Sequence, residues 1–429
     1  MARGIRRNIL PFMILAVLPV TGGVLAAQEA TWGGTVDSSG SLETTDDFDD
    51  PTWETSVSTA LWGRALFPVR QDAEIAVTGQ VSYTWSDDRP YLVDVDAFHL
   101  AGRYPGLFGA SSVVRATAGR FLISDVSSFI VNDRVDGLEA ELAFPAVRIG
   151  LSAAYTGLLL NPVSRIVMTD ADLADAGDGD EFFGARRLIG KAELSLPELF
   201  ARQTATVSAI GQWDLRDAEQ DEETIDSGYL GLAFDGPIVP GLFYELTSSL
   251  SPWTARLNNE TEQGLGLLLS TRLRYFRPDW LSSQFGLLGV MASGAGPVLD
   301  PFVTITRADV GIILDLSLQN IAFGEVSYSI VPFQTARNRV LRDLQVGVSS
   351  RTFFRVSTDE VPDTSAVDPL SDGQLIGTEA MLDLGWRVLS DLGMSLSGGV
   401  FMPATGSFGV FSDERPLTFT AQLQLSTSF

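Results

Sequence analysis

The stretch LTFTAQLQLSTSF, Leu417 to Phe429, decides how the rest of the chain is read. Leu417, Phe419, Ala421, Leu423, Leu425, Thr427 and Phe429 fall on one parity, and Thr418, Thr420, Gln422, Gln424, Ser426 and Ser428 on the other. A period of two with one apolar and one wet face is that of a β-strand, whose successive side chains point to opposite sides. The stretch closes on an aromatic. An edge or sandwich strand of a soluble protein alternates equally well, so the choice rests on what precedes it.

Of 429 residues, 45% are hydrophobic and the mean hydropathy is +0.16, yet the formal net charge is -25. Apolar and acidic residues must therefore be segregated along the chain. The sequence contains no cysteine, which excludes a disulfide framework, a thiolate metal site and a cysteine nucleophile, and suits an oxidising compartment. The basic residues are scattered, so nucleic-acid binding has no electrostatic support.

Residues 1–27 read as a secretory signal peptide. Arg3, Arg6 and Arg7 supply a positive start, Ile9 to Leu18 an apolar run, and Val24-Leu25-Ala26-Ala27 a small-residue cleavage site. The run is short for a membrane helix and is interrupted by Pro11 and followed by Pro19. No later stretch is as long and as apolar. A mature protein in a membrane would have to cross it with strands.

Residues 28–51 form an N-terminal segment that contains one weak strand candidate, Trp32 to Leu42, and an acidic run at 46–50. From residue 52 to 429 the strand pattern repeats. Segments alternate near 53–67, 73–85, 93–104, 111–123, 134–144, 147–160, 186–196, 203–216, 226–235, 242–253, 264–277, 284–293, 309–318, 320–332, 339–356, 375–389 and 393–402, before the terminal strand. Their lengths match what a tilted strand needs to cross a bilayer, roughly 9–11 residues. Short connections such as Pro105-Gly106, Gly236-Pro237 and Arg277-Pro278-Asp279 mostly alternate with long acidic ones: Asn161 to Gly184, Asp217 to Asp226, Thr254 to Gln263, Ser357 to Gly373 and Ala404 to Arg415. Short turns at one end and long loops at the other are the grammar of an outer-membrane barrel. The expected fold is all-β: a transmembrane antiparallel up-and-down β-barrel of about 18 strands, with 16 to 20 allowed by the slipping alternation between 294 and 375.

In such a barrel the apolar parity meets lipid and the polar parity lines the lumen. Aromatics at strand ends, among them Trp53, Tyr83, Trp85, Tyr104, Trp213, Trp253, Tyr275, Trp280 and Phe429, fit girdles at two interfaces. Charges within strands fall largely on the polar parity. The pore-lining candidates are Arg103, Arg120, Glu139, Glu141, Arg148, Lys191, Glu193, Arg272, Arg274, Asp315, Glu379, Asp383 and Arg387. Their signs nearly balance, which suggests cross-strand pairing around a wet bore more than a preference for one sign of ion.

The terminal strand resembles the closing strand of bacterial outer-membrane barrels, and that resemblance implies that Phe429 is read by the barrel-assembly machinery. Thr117 to Leu142, TAGRFLISDVSSFIVNDRVDGLEAEL, resembles a strand-loop-strand element of porin families that include alginate-export-type barrels. The match lies in Gly119-Arg120 and Asp136-Gly137; it implies that Arg120 lines the bore and that Asp-Gly opens the second strand, turning the chain back into the wall. The implied location is the bacterial outer membrane.

Asp170, Asp172, Asp175, Asp178 and Asp180 crowd the longest loop. Carboxylates at this density could hold Ca²⁺, although the spacing misses the D-x-[DN]-x-[DN]-G loop pattern; a solvated acidic loop, or one folded into the bore, are the competing readings. His99 is the one histidine, it lies mid-strand, and there is no Gly-x-Ser-x-Gly elbow. Catalysis and a cofactor are not expected. The reading is a porin-like channel for passive diffusion of small hydrophilic solutes, as a monomer or homotrimer in outer-membrane lipid. The alternative is a surface protein whose barrel is a scaffold for acidic extracellular loops, and a third reading, a transporter of hydrophobic solutes, would require a plugged, apolar bore.

Overall fold

The computed structural model describes residues 27, 29–45, 51–70, 72–87, 89, 91–177, 181–216, 223–258, 260–308, 310–314, 316–358, 361, 372–411 and 415–429. The signal peptide read over 1–27 lies almost wholly outside these residues, as do Asp178, Asp180, Asp315 and most of the 357–373 loop. The strands in chain order are β1 (Glu29–Thr45), β2 (Thr52–Arg70), β3 (Ala73–Ser86), β4 (Leu92–Pro105), β5 (Val113–Ser124), β6 (Asn132–Ala143), β7 (Arg148–Tyr155), β8 (Arg187–Phe200), β9 (Gln203–Asp214), β10 (Thr224–Val239), β11 (Leu242–Leu257), β12 (Glu260–Arg277), β13 (Ser283–Ala292), β14 (Ile321–Ile330), β15 (Gln345–Arg355), β16 (Leu375–Arg387), β17 (Leu392–Pro403) and β18 (Thr418–Ser428). Two short helices, α1 (Asp170–Gly177) and α2 (Arg339–Arg342), lie in connections. Every strand pairs antiparallel with its neighbours in sequence, and β1 also pairs with β18, so the sheet closes into an 18-stranded barrel. Closure leaves no row of unpaired backbone N–H and C=O groups, the condition for strands in hydrocarbon.

The seam explains why β1 is hard to read from sequence. Its register with β18 runs from Thr35↔Ser428 to Thr45↔Thr418. The ladder continues through Phe429, whose N–H donates to the Gly34 carbonyl at 3.1 Å while the Gly34 N–H donates to the Phe429 oxygen at 3.1 Å. A Cβ on Gly34 would lie 2.5 Å from the Phe429 ring, and one on Gly33 would lie 2.8 Å from the Phe429 oxygen. The glycines that weaken the strand signal are thus the ones that seat the closing aromatic.

The outer face carries large apolar side chains in the open. Leu61, Leu138 and Leu230 are 56, 63 and 62% exposed. Side chains of this kind over the whole circumference would be untenable in water and are suited to lipid. Trp53, Trp213 and Phe429 at strand ends and Trp280 in the β12–β13 turn are likewise exposed, at the levels where aromatic girdles sit.

The strand count agrees with expectation through two compensating differences. Glu29–Thr45 is a full strand, whereas the described part of 309–318 is not a strand at all. The alternation there has another cause: Val310, Leu316 and Leu318 are buried in an apolar cluster inside the barrel. Residues 254–263 are not a long loop either. Strands β11 and β12 extend through them in register, from Thr254↔Gln263 to Leu257↔Glu260, where the chain reverses. These residues continue the ladder beyond the stretch where one face must be apolar, so the sequence alternation stops before the strand does. The 339–356 segment divides into α2 and β15.

Candidate functional site: a bore narrowed by inward loops

The inner parity is not uniformly polar. Ile123, Val135, Ile189, Ile210, Leu268, Phe323 and Phe353 are wall residues that are buried together with Ile130, Ile166, Phe302, Ile305, Val310, Leu316 and Leu318 from the connections after β5, β7 and β13. Ile189 and Ile210 lie on the parity opposite the exposed Leu188 and Val207, so this cluster is inside the cylinder. The three connections fold inward and join one another. The Ile305 N–H donates to the Ile130 carbonyl at 2.8 Å, the Asn132 N–H to the Thr306 hydroxyl at 3.0 Å, and the Arg307 N–H to the Arg165 carbonyl at 2.7 Å.

Charges on the wall hold these loops. Glu379 on β16 is 1% exposed, and its carboxylate accepts from the backbone N–H groups of Ile312, Ile313 and Leu314 at 2.8 to 3.2 Å. Arg351, paired with Glu325 on the neighbouring strand, also donates to the Val310 carbonyl. The Lys191 ammonium donates to the Ser124 carbonyl at 2.8 Å and lies 3.3 Å from Glu193. The Asp133 carboxylate accepts from the Arg165 N–H at 2.8 Å.

The tightest anchor lies under α1. Arg187 on β8 and Asp214 on β9 are fully buried and 3.0 Å apart; Arg187 reaches Asp172 of α1 at 2.6 Å, and Arg216 contacts Asp172 at 2.9 Å and Asp214 at 2.8 Å. Two arginines and two aspartates thus satisfy one another away from water, the form in which buried charge is tolerated. For Arg216, beyond the end of β9, burial opposes its charge, but the hydrogen bond to Asp214 and the fields of Asp172 and Asp214 outweigh it and raise its pKa. Asp172 also caps the helix. Its carboxylate accepts from the Thr169 N–H at 3.1 Å while the Thr169 hydroxyl accepts from the Asp172 N–H at 3.2 Å, a reciprocal capping box. The signal for it is present in the sequence as Thr169-x-x-Asp172. Asp172 is therefore engaged by two arginines and the helix start, and Asp170 is exposed. Among the described residues no group of three or more acidic or histidine side chains is placed to hold a metal ion.

The Gly119-Arg120 and Asp136-Gly137 pairs meet directly across β5 and β6, Arg120 opposite Asp136 and Gly119 opposite Gly137. Asp136-Gly137 does not open the strand; it lies in the middle of β6, and the reversal is made earlier, at 125–131, where Asp125 accepts from the N–H groups of Ser127, Ile130 and Val131. The glycines serve close approach: a Cβ on Gly119 would collide with the Phe98 carbonyl and one on Gly137 with the Ala153 carbonyl. The Arg120 side chain is 11% exposed. It makes a two-point contact with Asp136 at 2.7 and 3.1 Å and donates to the Val95 and Leu158 carbonyls at 3.0 and 2.8 Å. His99 Nδ1 lies 3.1 Å from the Arg120 carbonyl oxygen.

Other charges pair across strands, as the balanced signs suggest. Arg272 meets Glu245 at 3.3 Å, Arg115 meets Glu141, and Glu139 accepts from Ser152 at 3.3 Å. Arg103, Arg148, Arg274 and Arg387 are exposed near the end that carries Phe429 and the short turns, and make no ion pair among the described residues; Asp383 is exposed mid-strand. Along the inner wall lie cavities of about 310, 570 and 610 Å³, the first of them also lined by Val163 of an inward loop.

No protein-family model and no curated protein matches the sequence. Solved structures do match in shape. Pseudomonas aeruginosa OpdO superposes with a TM-score of 0.59 at 12% identity, over 94% of this chain and 98% of that one. OccK5 (OpdH) of the same organism gives 0.55 at 12% identity over 93% and 98%, and OccK2 (OpdF), solved in complex with glucuronate, 0.57 at 11% over 94% and 96%. At these identities the shared property is the architecture, and the chain has a closed 18-stranded antiparallel barrel fold similar to those of OccK5 and OccD1 (OprD).

Proposed function

We propose that the protein is an outer-membrane channel through which small hydrophilic solutes diffuse passively. The observation that carries this reading is the combination of an apolar outer wall with cavities of 310 to 610 Å³ lined by polar side chains of the inner wall. A solute crossing such a bore exchanges water for wall hydroxyls, amides and carboxylates, and never meets hydrocarbon. The wall charges have two roles in this account. Glu379, Lys191, Arg120 and Arg187 are spent on shaping the loops, whereas Arg103, Arg148, Arg274, Arg387 and Asp383 face the water path. The apolar cluster offers no route to a hydrophobic solute, because its side chains are packed against one another.

Purified protein in planar bilayers tests the reading. Stepwise conductance that is linear in voltage is expected. A folded barrel that inserts and stays silent would instead favour a scaffold for acidic loops.

A further inference from the structure

The charged side chains and the inward loops gather over one part of the wall, and the sector around the seam is different. Strands β17 and β18 contain no ionisable residue. On the inner parity, β18 presents Thr420, Gln422, Gln424 and Ser426, and the register places Ser395 and Ser397 beside them on one side and Ser39 and Ser41 on the other. Beyond β1 the Ser39 row continues through Ser56 to Ser86 and the Asp37 row through Ser58 to Thr84, while the Ser41 row meets Glu54 and Thr420 faces Glu43, so the charges that border the lattice on this side are carboxylates. Adjacent hydroxyls already bond across strands, Ser39 to Ser56 at 2.7 Å and Thr84 to Ser58 at 3.2 Å. With strands about 4.8 Å apart and same-face residues about 7 Å apart along each strand, this is a lattice of groups that both donate and accept.

The lattice faces open space. A cavity of about 310 Å³ lies between Thr35, Ser58, Ser82 and Thr84 on the wall and Val163 of the inward loop. One of about 570 Å³ adjoins Ser395, Ser397, Gln422 and Gln424. Few uncompensated charges reach these spaces. Asp94 and Asp96 are held by Arg134 at 3.8 and 2.6 Å, and Asp94 also lies 3.5 Å from Arg120; Glu325 is held by Arg351. What remains are the carboxylates of Asp37 on β1 and Asp383 on β16. No arginine or lysine lies on the inner face of β17, β18 or β1; the nearest cations without an ion pair among the described residues are Arg64, on the parity of Ser56 and Ser58 in β2, and Arg387, which lines the 610 Å³ cavity beside Ser395, Gln424 and Ser426.

We infer that the seam sector is a slide for uncharged, polyhydroxylated solutes of saccharide type, and that it disfavours sugar acids. This inference rests on the channel reading above. Each sugar hydroxyl can hand its hydrogen bonds from one Ser, Thr or Gln to the next, at the modest strength of neutral pairs, so nothing holds the solute in place. A carboxylate on the sugar would shed part of its hydration with no cation on β17, β18 or β1 to receive it and would meet the fields of Asp37 and Asp383 before it reached Arg387 at the short-turn end.

The test compares solutes of one ring size, glucose, glucuronate and glucosamine, by the swelling rate of proteoliposomes that carry the full chain. Glucose is expected to enter roughly tenfold faster than glucuronate, the equivalent of about 1.4 kcal/mol at the barrier, and faster than glucosamine, whose ammonium would be held by charge-assisted hydrogen bonds at Asp37 and Asp383. A Ser397→Arg/Gln424→Arg variant, confirmed as folded by heat-modifiable mobility on gels, should narrow or reverse the glucose-to-glucuronate ratio. Glucuronate or glucosamine entering as fast as glucose, or an unchanged ratio in the folded variant, would overturn the saccharide assignment and leave the channel reading standing. No entry of any solute into vesicles holding folded barrel would overturn both.

Discussion

Replacing Glu379 by alanine should release the loop between β13 and β14. The Glu379 carboxylate is the acceptor for three successive backbone N–H groups, those of Ile312, Ile313 and Leu314, and is shut off from solvent. A hydrogen bond to a charged acceptor is worth about 1.5–3 kcal/mol net, so three that share one carboxylate together contribute on the order of 4 kcal/mol when taken at the low end. At about 1.4 kcal/mol per decade, the ratio of docked to undocked loop falls nearly a thousandfold. The Glu379→Gln substitution keeps an acceptor oxygen without the charge, and neutral bonds are about half as strong, so roughly half the effect is expected. The barrel itself should persist, because Arg351 retains Glu325 and the β15–β16 ladder is untouched. Single-channel recording and limited proteolysis read the outcome: Glu379→Ala should conduct more, with more flicker, and become cleavable within 296–318, and Glu379→Gln should fall between it and the parent. Identical conductance and an identical cleavage pattern in a folded Glu379→Ala barrel would refute the anchoring role.

Other substitutions probe separate parts of the account. Arg187→Met leaves Asp172 and Asp214 to share Arg216 and should cost about 3–5 kcal/mol in urea unfolding, whereas Arg187→Met combined with Asp172→Asn should cost less, because less buried charge is left unpaired. Gly34→Val places a side chain against the Phe429 ring and should lower the temperature at which the barrel loses its compact gel mobility, with a cost of about 1–3 kcal/mol. Burial, together with the charges of Asp170, Glu262 and Asp172, raises the pKa of Glu223 in the loop after β9. Its ionised form is therefore a penalty, absent below the ordinary carboxylate range and fully present above the raised value. Glu223→Gln should stabilise this loop near neutrality and make no difference in acid, a contrast measurable by hydrogen exchange of residues 223–226 across pH.

The wall is legible in the sequence because a lipid-facing strand must alternate, and Leu423 and Leu425 against Gln422 and Gln424 state that requirement openly. Legibility fails wherever another demand takes over. At Gly33-Gly34 the need to admit the Phe429 ring removes the side chains that mark a strand. At Thr254 to Gln263 the ladder outlasts the apolar zone. Around Val310, Leu316 and Leu318 an internal core produces strand-like alternation without a strand. The candidate charges are identified by parity alone, which places a side chain inside the cylinder but is blind to what the loops bring to meet it. Glu379 and Lys191 look alike in sequence to Asp383 and Arg387; only the inward loops separate anchors from side chains left facing water. Asp172 lies between these cases, since its capping box is local and readable while its bond to Arg187 joins positions that only folding brings together.

A wet bore behind an apolar wall can be probed with single thiols, because the sequence contains no cysteine. Gln424→Cys and Leu425→Cys place single thiols on the two faces of β18, one residue apart. A charged, membrane-impermeant thiol reagent should react with the protein carrying Gln424→Cys in bilayers and reduce its conductance, and should leave Leu425→Cys unmodified. Equal labelling of both positions, or labelling of Gln424→Cys with no change in current, would rule out a water-filled bore lined by this face of β18.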